Sequence, residues 1–119
     1  MKLQEGQIRW LDFEGEDRYQ QGSVAAQQNN RAEAEGMVAA NAANGYPSGI
    51  YTLESQWGHI MGKVPKSSSL YKLPEWLPTH SNSVAYACSL PPVTGGGKRV
   101  MVQNQEKIGH DIYDHNTGC

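Results

Sequence analysis

KRVMVQNQEKIGHDIYDHNTGC, residues 98–119, consists of two alternating runs joined by a polar link. In the first run Val100 and Val102 point to one side of an extended segment, and Arg99, Met101 and Gln103 point to the other. Asn104-Gln105-Glu106-Lys107 breaks the pattern. In the second run Ile108 and Ile112 share one face, while Asp111, Tyr113 and His115 share the opposite one. Two such runs predict a β-hairpin with one face fit for a core. The other face carries an Arg, a Tyr and a His, and a functional site is expected there.

Upstream of the hairpin, Pro91-Pro92 and Gly95-Gly96-Gly97 read as a flexible delivery loop. Val84, Tyr86 and Cys88 alternate with Ala85 and Ala87, which predicts a strand. Glu75 to Pro78 reads as a Trp-containing turn, and Leu70-Tyr71-Lys72-Leu73 as a short strand stopped by Pro74. Ser67-Ser68-Ser69 is a flexible link, Trp57 to Gly62 a further apolar stretch, and Ile50 to Leu53 a short strand. Before Pro47 the pattern changes to helical. Asn30 followed by Glu33 is a capping signature, and Ala34, Met37, Val38 and Ala42 form a narrow apolar stripe. Asn44-Gly45 and Pro47 end it, which predicts one helix over about 31–43, with residues 23–29 able to begin it early. Residues 7–14 alternate as a strand, Ile8, Trp10 and Asp12 against Arg9, Leu11 and Phe13, and 15–22 form a turn-rich loop. The expected fold is α+β: one α-helix packed on a twisted antiparallel sheet, in a single domain over 1–119.

The chain has 119 residues, enough for one core. Only 38% are hydrophobic, and three Trp and six Tyr supply much of the burial. The net charge of -2 provides no basic field to draw in nucleic acid. No apolar run approaches a membrane span, so no membrane partner is expected. Residues 1–10 lack the apolar core of a signal sequence. That leaves a cytosolic protein or the mature part of a secreted one. Cys88 and Cys119 are either a disulfide that staples the tail or two free thiols.

Four histidines, His59, His80, His110 and His115, stand near carboxylates, but no CxxC, HExxH or close His pair accompanies them. No metal and no cofactor is therefore expected. The glycines before Lys98-Arg99 lack the following Ser or Thr and the helix of a phosphate-binding loop. Acid–base chemistry would need Arg99 to hold a phosphate, His115 to donate a proton, and Glu54 or Glu75 to act as base. Pattern alone favours ordinary solvent-facing strand residues.

Several motifs nevertheless follow one another in a telling order. A helix precedes Gly45-Tyr46-Pro47; then come Leu70-Tyr71-Lys72-Leu73-Pro74, Gly96-Gly97-Lys98-Arg99-Val100-Met101-Val102, and His115-Asn116-Thr117-Gly118 with a closing Cys119. Over about residues 8–119 this order resembles the small fungal guanyl-specific ribonucleases and their offshoot, the RNase-like secreted effectors of powdery mildews. Trp10-Leu11-Asp12 falls near the aromatic-x-Cys motif of many such effectors, without the Cys. The resemblance implies a vestigial site. Tyr46 and Arg99 are kept, Ser48 stands where the ribonucleases have a His, and Lys72 stands at their catalytic Glu. Asn116 directly precedes Thr117-Gly118, and His115, one step earlier, would need a bulge to take the catalytic position. A protonated lysine cannot accept the nucleophile's proton, and losing general-base help costs about 10²–10⁴-fold in rate.

The resemblance thus implies a catalytically degenerate, secreted effector of a plant pathogen that binds host proteins or, weakly, RNA. An immune receptor of the plant would be a further partner. If secreted, Cys88 and Cys119 should be oxidised, to each other or between chains. Two alternatives stand beside it: an active endoribonuclease with a base rebuilt from Glu54 or Glu75, and a cytosolic or phage-encoded binding module.

Overall fold

A computed structural model describes residues 7–14, 23–79 and 83–119, with backbone alone for 106–108. The expected turn at 15–22 and the metal candidate His80 lie outside them. In chain order the elements are β1 (Arg9–Phe13), α1 (Val24–Ala43), β2 (Ser48–Thr52), α2 (Glu54–Met61), β3 (Glu75–Pro78), α3 (Val84–Ser89), β4 (Arg99–Ile108) and β5 (Asp111–Gly118). The strands form one mixed five-stranded sheet in the order β1-β2-β3-β4-β5. The fold is α+β, with three helices among the described residues rather than one and a sheet that is not antiparallel throughout. Pairings β1–β2, β2–β3 and β3–β4 are parallel, and β4–β5 alone is antiparallel. A helix intervenes between each parallel pair, as a crossover connection requires; only β4 and β5 are joined tightly enough to run antiparallel.

The expected hairpin is present, and both of its runs are extended. Its turn is at Gly109-His110, where Gly109 has φ 63°, rather than at the polar residues 104–107, which continue β4. Those residues are polar because this end of the hairpin outruns its neighbour: β3 pairs with β4 only as far as Pro78 opposite Gln103.

Helix α1 begins earlier than the Asn30 signature suggests. Ser23 caps it, its Oγ accepting from the Ala26 amide at 3.0 Å. The far end matches expectation: the Gly45 amide, at φ 84°, bonds to Ala42 O. Asn30 instead lies buried in mid-helix, and its Nδ2 donates to Ile60 O at 2.8 Å. Arg31 Nη1 donates to Met61 O, and Gln27 Nε2 to Gly58 O. These three side chains lie at helical spacing on one face of α1; Asn30 and Arg31 satisfy carbonyls at the end of α2, and Gln27 shares Gly58 O with the capping Gly62 amide.

Four further expectations are corrected. Trp57 to Gly62 is not an extended apolar stretch but most of α2; Trp57, Ile60 and Met61 are all buried, at the i, i+3, i+4 spacing of one helix face. Val84 to Cys88 is the short helix α3, opened by Ser83, whose Oγ accepts from the Tyr86 amide. Leu70 to Leu73 is a run of turns, and Glu75 to Pro78, read as a turn, is the central strand β3. Pro78 is tolerated there because the Glu75 and Thr79 amides point to β4, donating to Lys98 O and Gln103 O. Its missing donor therefore faces β2, whose pairing with β3 spans only Ile50–Glu75 and Tyr51–Trp76.

All three helices cover the same face of the sheet. The core joins Phe13 and Ile50 of the sheet to Ala34 of α1, Trp57, Ile60 and Met61 of α2, and Val64, Leu70 and Leu73 of the following segment. Helix α3 packs on β4 from that side as well, since it is bonded to Arg99, which pairs with Glu75, the register partner of Ile50. The triple glycine is a packing device rather than a flexible turn. Side chains at Gly95 or Gly96 would run into the Tyr71 ring, and one at Gly97 into Leu73 O and Thr94 Oγ1.

Candidate functional site

The residues singled out in the sequence do not converge on one pocket. Arg99 was expected on the polar face of the hairpin, but it is buried at 6% exposure and points under the helices. The cause is a bulge: Glu75 pairs with Arg99 and Trp76 with Met101, so Val100 is an extra residue and reverses the alternation. Arg99 Nη2 bonds to Glu75 Oε1 at 3.0 Å and to Pro91 O at 3.0 Å. Its Nη1 donates to Ala87 O at 2.7 Å and Leu90 O at 3.1 Å, so that it caps the end of α3 with a positive charge. Glu75 is wholly buried, and it also accepts from the Val93 amide and from the amide and hydroxyl of Thr94. A carboxylate so enclosed and so fully bonded has no path to a substrate. The Arg99–Glu75 pair is a structural knot that ties the 83–97 segment to the sheet.

The other expected residues are dispersed. Ser48 is buried at the start of β2, where its Oγ accepts from Asn41 Nδ2 at 3.0 Å. Tyr46 holds the Arg9 guanidinium 4.2 Å above its ring, a cation–π contact. Lys72 is exposed in the turns before β3. His115 is exposed on β5 opposite Asn104, in a β4–β5 ladder without the bulge that would move it. Glu54, on the first turn of α2, lines an open cleft with Leu53, Ser55, Pro78 and Thr79. Among the described residues lining this cleft, none is a histidine or a second base that would complete an acid–base pair with Glu54. Among the described residues no group of His, Cys, Asp and Glu is arranged to hold a metal, and no helix is long and apolar enough to cross a membrane. Cys88 and Cys119 form a disulfide with their Cα atoms 5.6 Å apart, which ties α3 to the end of β5.

The arrangement that does stand out was not among the expected residues. It is the sheet face opposite the helices. Trp10, Tyr51 and Trp76 lie there side by side, one from each of β1, β2 and β3. Trp10 and Trp76 meet edge to face at 5.7 Å between centroids, and Tyr51 and Trp76 at 4.7 Å. Gly49 makes the row possible. A Cβ there would lie 2.6 Å from the Trp10 ring, so only a bare backbone lets that indole lie across β2. Met101 continues the row on β4 as the register partner of Trp76.

The polar tips of these rings are tied down. Tyr51 donates its hydroxyl to Gln103 Oε1 at 2.6 Å, and Trp76 Nε1 donates to Asn116 Oδ1 at 3.0 Å. Asn116, expected as a vestige of a catalytic site, is thus a brace for an aromatic platform. Burial pushes the Tyr51 hydroxyl pKa up, and the carboxylates of Glu14, Asp12 and Asp114 push it further. Asp12 stands on β1, Glu14 follows it, and Asp114 stands on β5, the two edge strands of the sheet.

A signal for this face did exist in the sequence. Trp10, Tyr51 and Trp76 each alternate with residues of the other face, half-buried Leu11 and buried Phe13, Ile50 and Thr52, Glu75 and Leu77. Large side chains on both faces of three strands, with one narrow helical stripe to cover them, leave one face bare. No protein family, curated protein or solved structure matches the chain.

Proposed function

We propose that this chain is a binding domain rather than a catalyst, and that its binding surface is the open sheet face of Trp10, Tyr51, Trp76 and Met101. The observation that carries the proposal is the row of three half-buried aromatic rings on a face that none of the described helices covers. Aromatic side chains offer large contact area at small entropic cost, and contiguous uncovered patches of them mark interaction sites. The platform is also preorganised: the bonds from Tyr51 to Gln103 and from Trp76 to Asn116 hold two of its rings in place.

Binding without catalysis is the role that the ribonuclease resemblance implied, and the dispersal of Tyr46, Ser48, Lys72, Arg99 and His115 is consistent with it. The Cys88–Cys119 disulfide supports work in an oxidising compartment, in keeping with a secreted protein. Of the partners the resemblance implied, a protein is favoured over RNA, because the net charge of -2 supplies no basic field to hold phosphate.

The test is selection of a displayed random-peptide library on the immobilised domain. The selected peptides should lose binding to Trp76→Leu and Trp10→Ala variants that unfold as cooperatively as the parent. Peptides that bind parent and variants equally would overturn the proposal.

A further inference from the structure

We infer that β5 pairs antiparallel with β5 of a second copy of this chain, about a two-fold axis, so that two five-stranded sheets join edge to edge. The inference does not rest on the binding role of the aromatic face. Its first ground is the edge itself. β5 is an edge strand, and seven of its eight residues are exposed, Ile112 at 64% and Tyr113 at 50%. The Cys119 amide donates to Val100 O, so the odd-numbered residues of β5 bond to β4, while Ile112, Asp114, Asn116 and Gly118 turn their N–H and C=O groups outward. Among the described residues nothing bonds to these outward groups. Edge strands are commonly guarded by Pro, Lys, a bulge or a covering element. β5 contains no Pro and no Lys, and its ladder with β4 is regular.

The second ground is that one register suits the side chains. When identical strands pair antiparallel, the two-fold axis is normal to the sheet, and residues that share a face stand opposite one another. Centred on Asp114, the pairing would oppose two carboxylates. Centred on Tyr113, it would cover only residues 111–115 and set Ile112 against Asp114. Centred on His115, it covers residues 112–118, with Asp114 opposite Asn116 of the second copy and Ile112 opposite its Gly118. Asn116 gives its Oδ1 to Trp76, which leaves Nδ2 to donate to that exposed carboxylate. The pair occurs twice, once on each side of the axis.

The same register also gives Ile112 apolar neighbours. Gly118 is the register partner of Met101, Met101 of Trp76, and Trp76 of Tyr51. Ile112 of the second copy therefore falls into line with the aromatic row across a bare glycine. The space over that glycine is open, since a Cβ there would meet nothing closer than Val100 O at 3.9 Å. With the axis normal to the sheet, the aromatic rows of both copies lie on one face of the joined sheet.

The test is the mass of the intact, disulfide-bonded chain by sedimentation equilibrium, from about 1 μM to about 1 mM. It should rise from 13.1 kDa toward twice that value. Asn116→Asp keeps an oxygen for the Trp76 indole but sets carboxylate against carboxylate on both sides of the axis. It should weaken the dimer about tenfold. Adding Asp114→Asn re-creates the carboxylate–amide pair in exchanged order and should restore the dimer, which damage to the fold would not allow. Cross-linking reads the register. The two copies of His115 would face each other at a non-hydrogen-bonded position, with Cα atoms about 4.5 Å apart and within disulfide reach. His115→Cys should therefore form a covalent dimer with oxidised glutathione, and Tyr113→Cys should not. A chain that stays monomeric at about 1 mM, an Asn116→Asp dimer as strong as the parent's, or cross-linking through position 113 in place of 115 would each overturn the inference.

Discussion

Replacing Arg99 separates a structural knot from a ligand-binding arginine. In Arg99→Met the apolar stem is roughly kept while the charge is removed. Glu75, at 0% exposure, would then keep three donors, Val93 N, Thr94 N and Thr94 Oγ1, but no counter-charge. Breaking one side of a buried pair typically costs about 3–5 kcal/mol, because the remaining charge stays desolvated. The carbonyls of Ala87, Leu90 and Pro91 also lose a donor, although part of that site is near solvent. Against a total stability of about 5–15 kcal/mol this is a large fraction. With a urea m-value of about 1–3 kcal/mol/M, the unfolding midpoint should fall by roughly 2 M. The double variant Arg99→Met/Glu75→Leu removes both charges, so it should be less destabilised than the sum of the single variants, by about 2 kcal/mol or more. Urea titration followed by tryptophan fluorescence, with the disulfide intact, reads all three. An Arg99→Met midpoint equal to or above that of the parent would refute the reasoning, since that is how a charge held in reserve for a ligand behaves when removed.

The disulfide closes a separation of 31 residues, so Cys88→Ser/Cys119→Ser should lose about 3–4 kcal/mol on the loop-entropy account. Two reactive thiols in the unfolded, unreduced parent would contradict the bond outright. Tyr51 has a folded pKa raised above its ordinary value of 10.0, so its contribution to stability is complete below about pH 10 and is lost as pH rises through the folded value. Tyr51→Phe should flatten the alkaline limb of a stability-against-pH curve, and an unchanged limb would count against the raised pKa. Purified protein should not cleave single-stranded RNA above buffer controls, and Lys72→Glu with Ser48→His should not restore cleavage, because Arg99 is enclosed and Ser48 is buried. Cleavage by the parent, abolished by His115→Ala, would show that an active site had been missed.

Much of the fold was legible where alternation ran long. Residues 7–14 and the 98–119 hairpin read as extended because their two-residue period persists over several residues. The helix end at Asn44-Gly45 was legible from backbone chemistry alone. The misreadings fall on short segments, where local pattern underdetermines structure. Residues 84–88 alternate by chance while forming most of the short capped helix α3. Four residues at 75–78 are bounded by prolines, yet they occupy the middle of the sheet, where tertiary pairing overrides the local turn signal. Asn30 and Glu33 mimic a helix start, but Asn30 serves as a side-chain cap for a second helix, a use that cannot be read without knowing the second helix is there. The candidate site was misplaced for a related reason. One bulge residue, Val100, turned Arg99 inward, and a bulge of one residue leaves no mark in an alternating sequence.

The bare face follows from topology rather than from any single residue. Parallel strands joined through helices make crossovers of one hand almost without exception. When successive strands are also added in the same direction, each crossover delivers its helix to the same side. Here the order never reverses from β1 to β4, and α1, α2 and α3 accordingly share one face. Two consequences follow together. Without a reversal there is no switch point, so the crevice where open α/β sheets usually hold small ligands does not arise. The opposite face also receives no helix of its own, and the indoles of Trp10 and Trp76 are placed there rather than in the core with Trp57. The same strand order thus leaves the aromatic row of Trp10, Tyr51 and Trp76 on the face away from the described helices, and that placement is what the proposed binding role rests on.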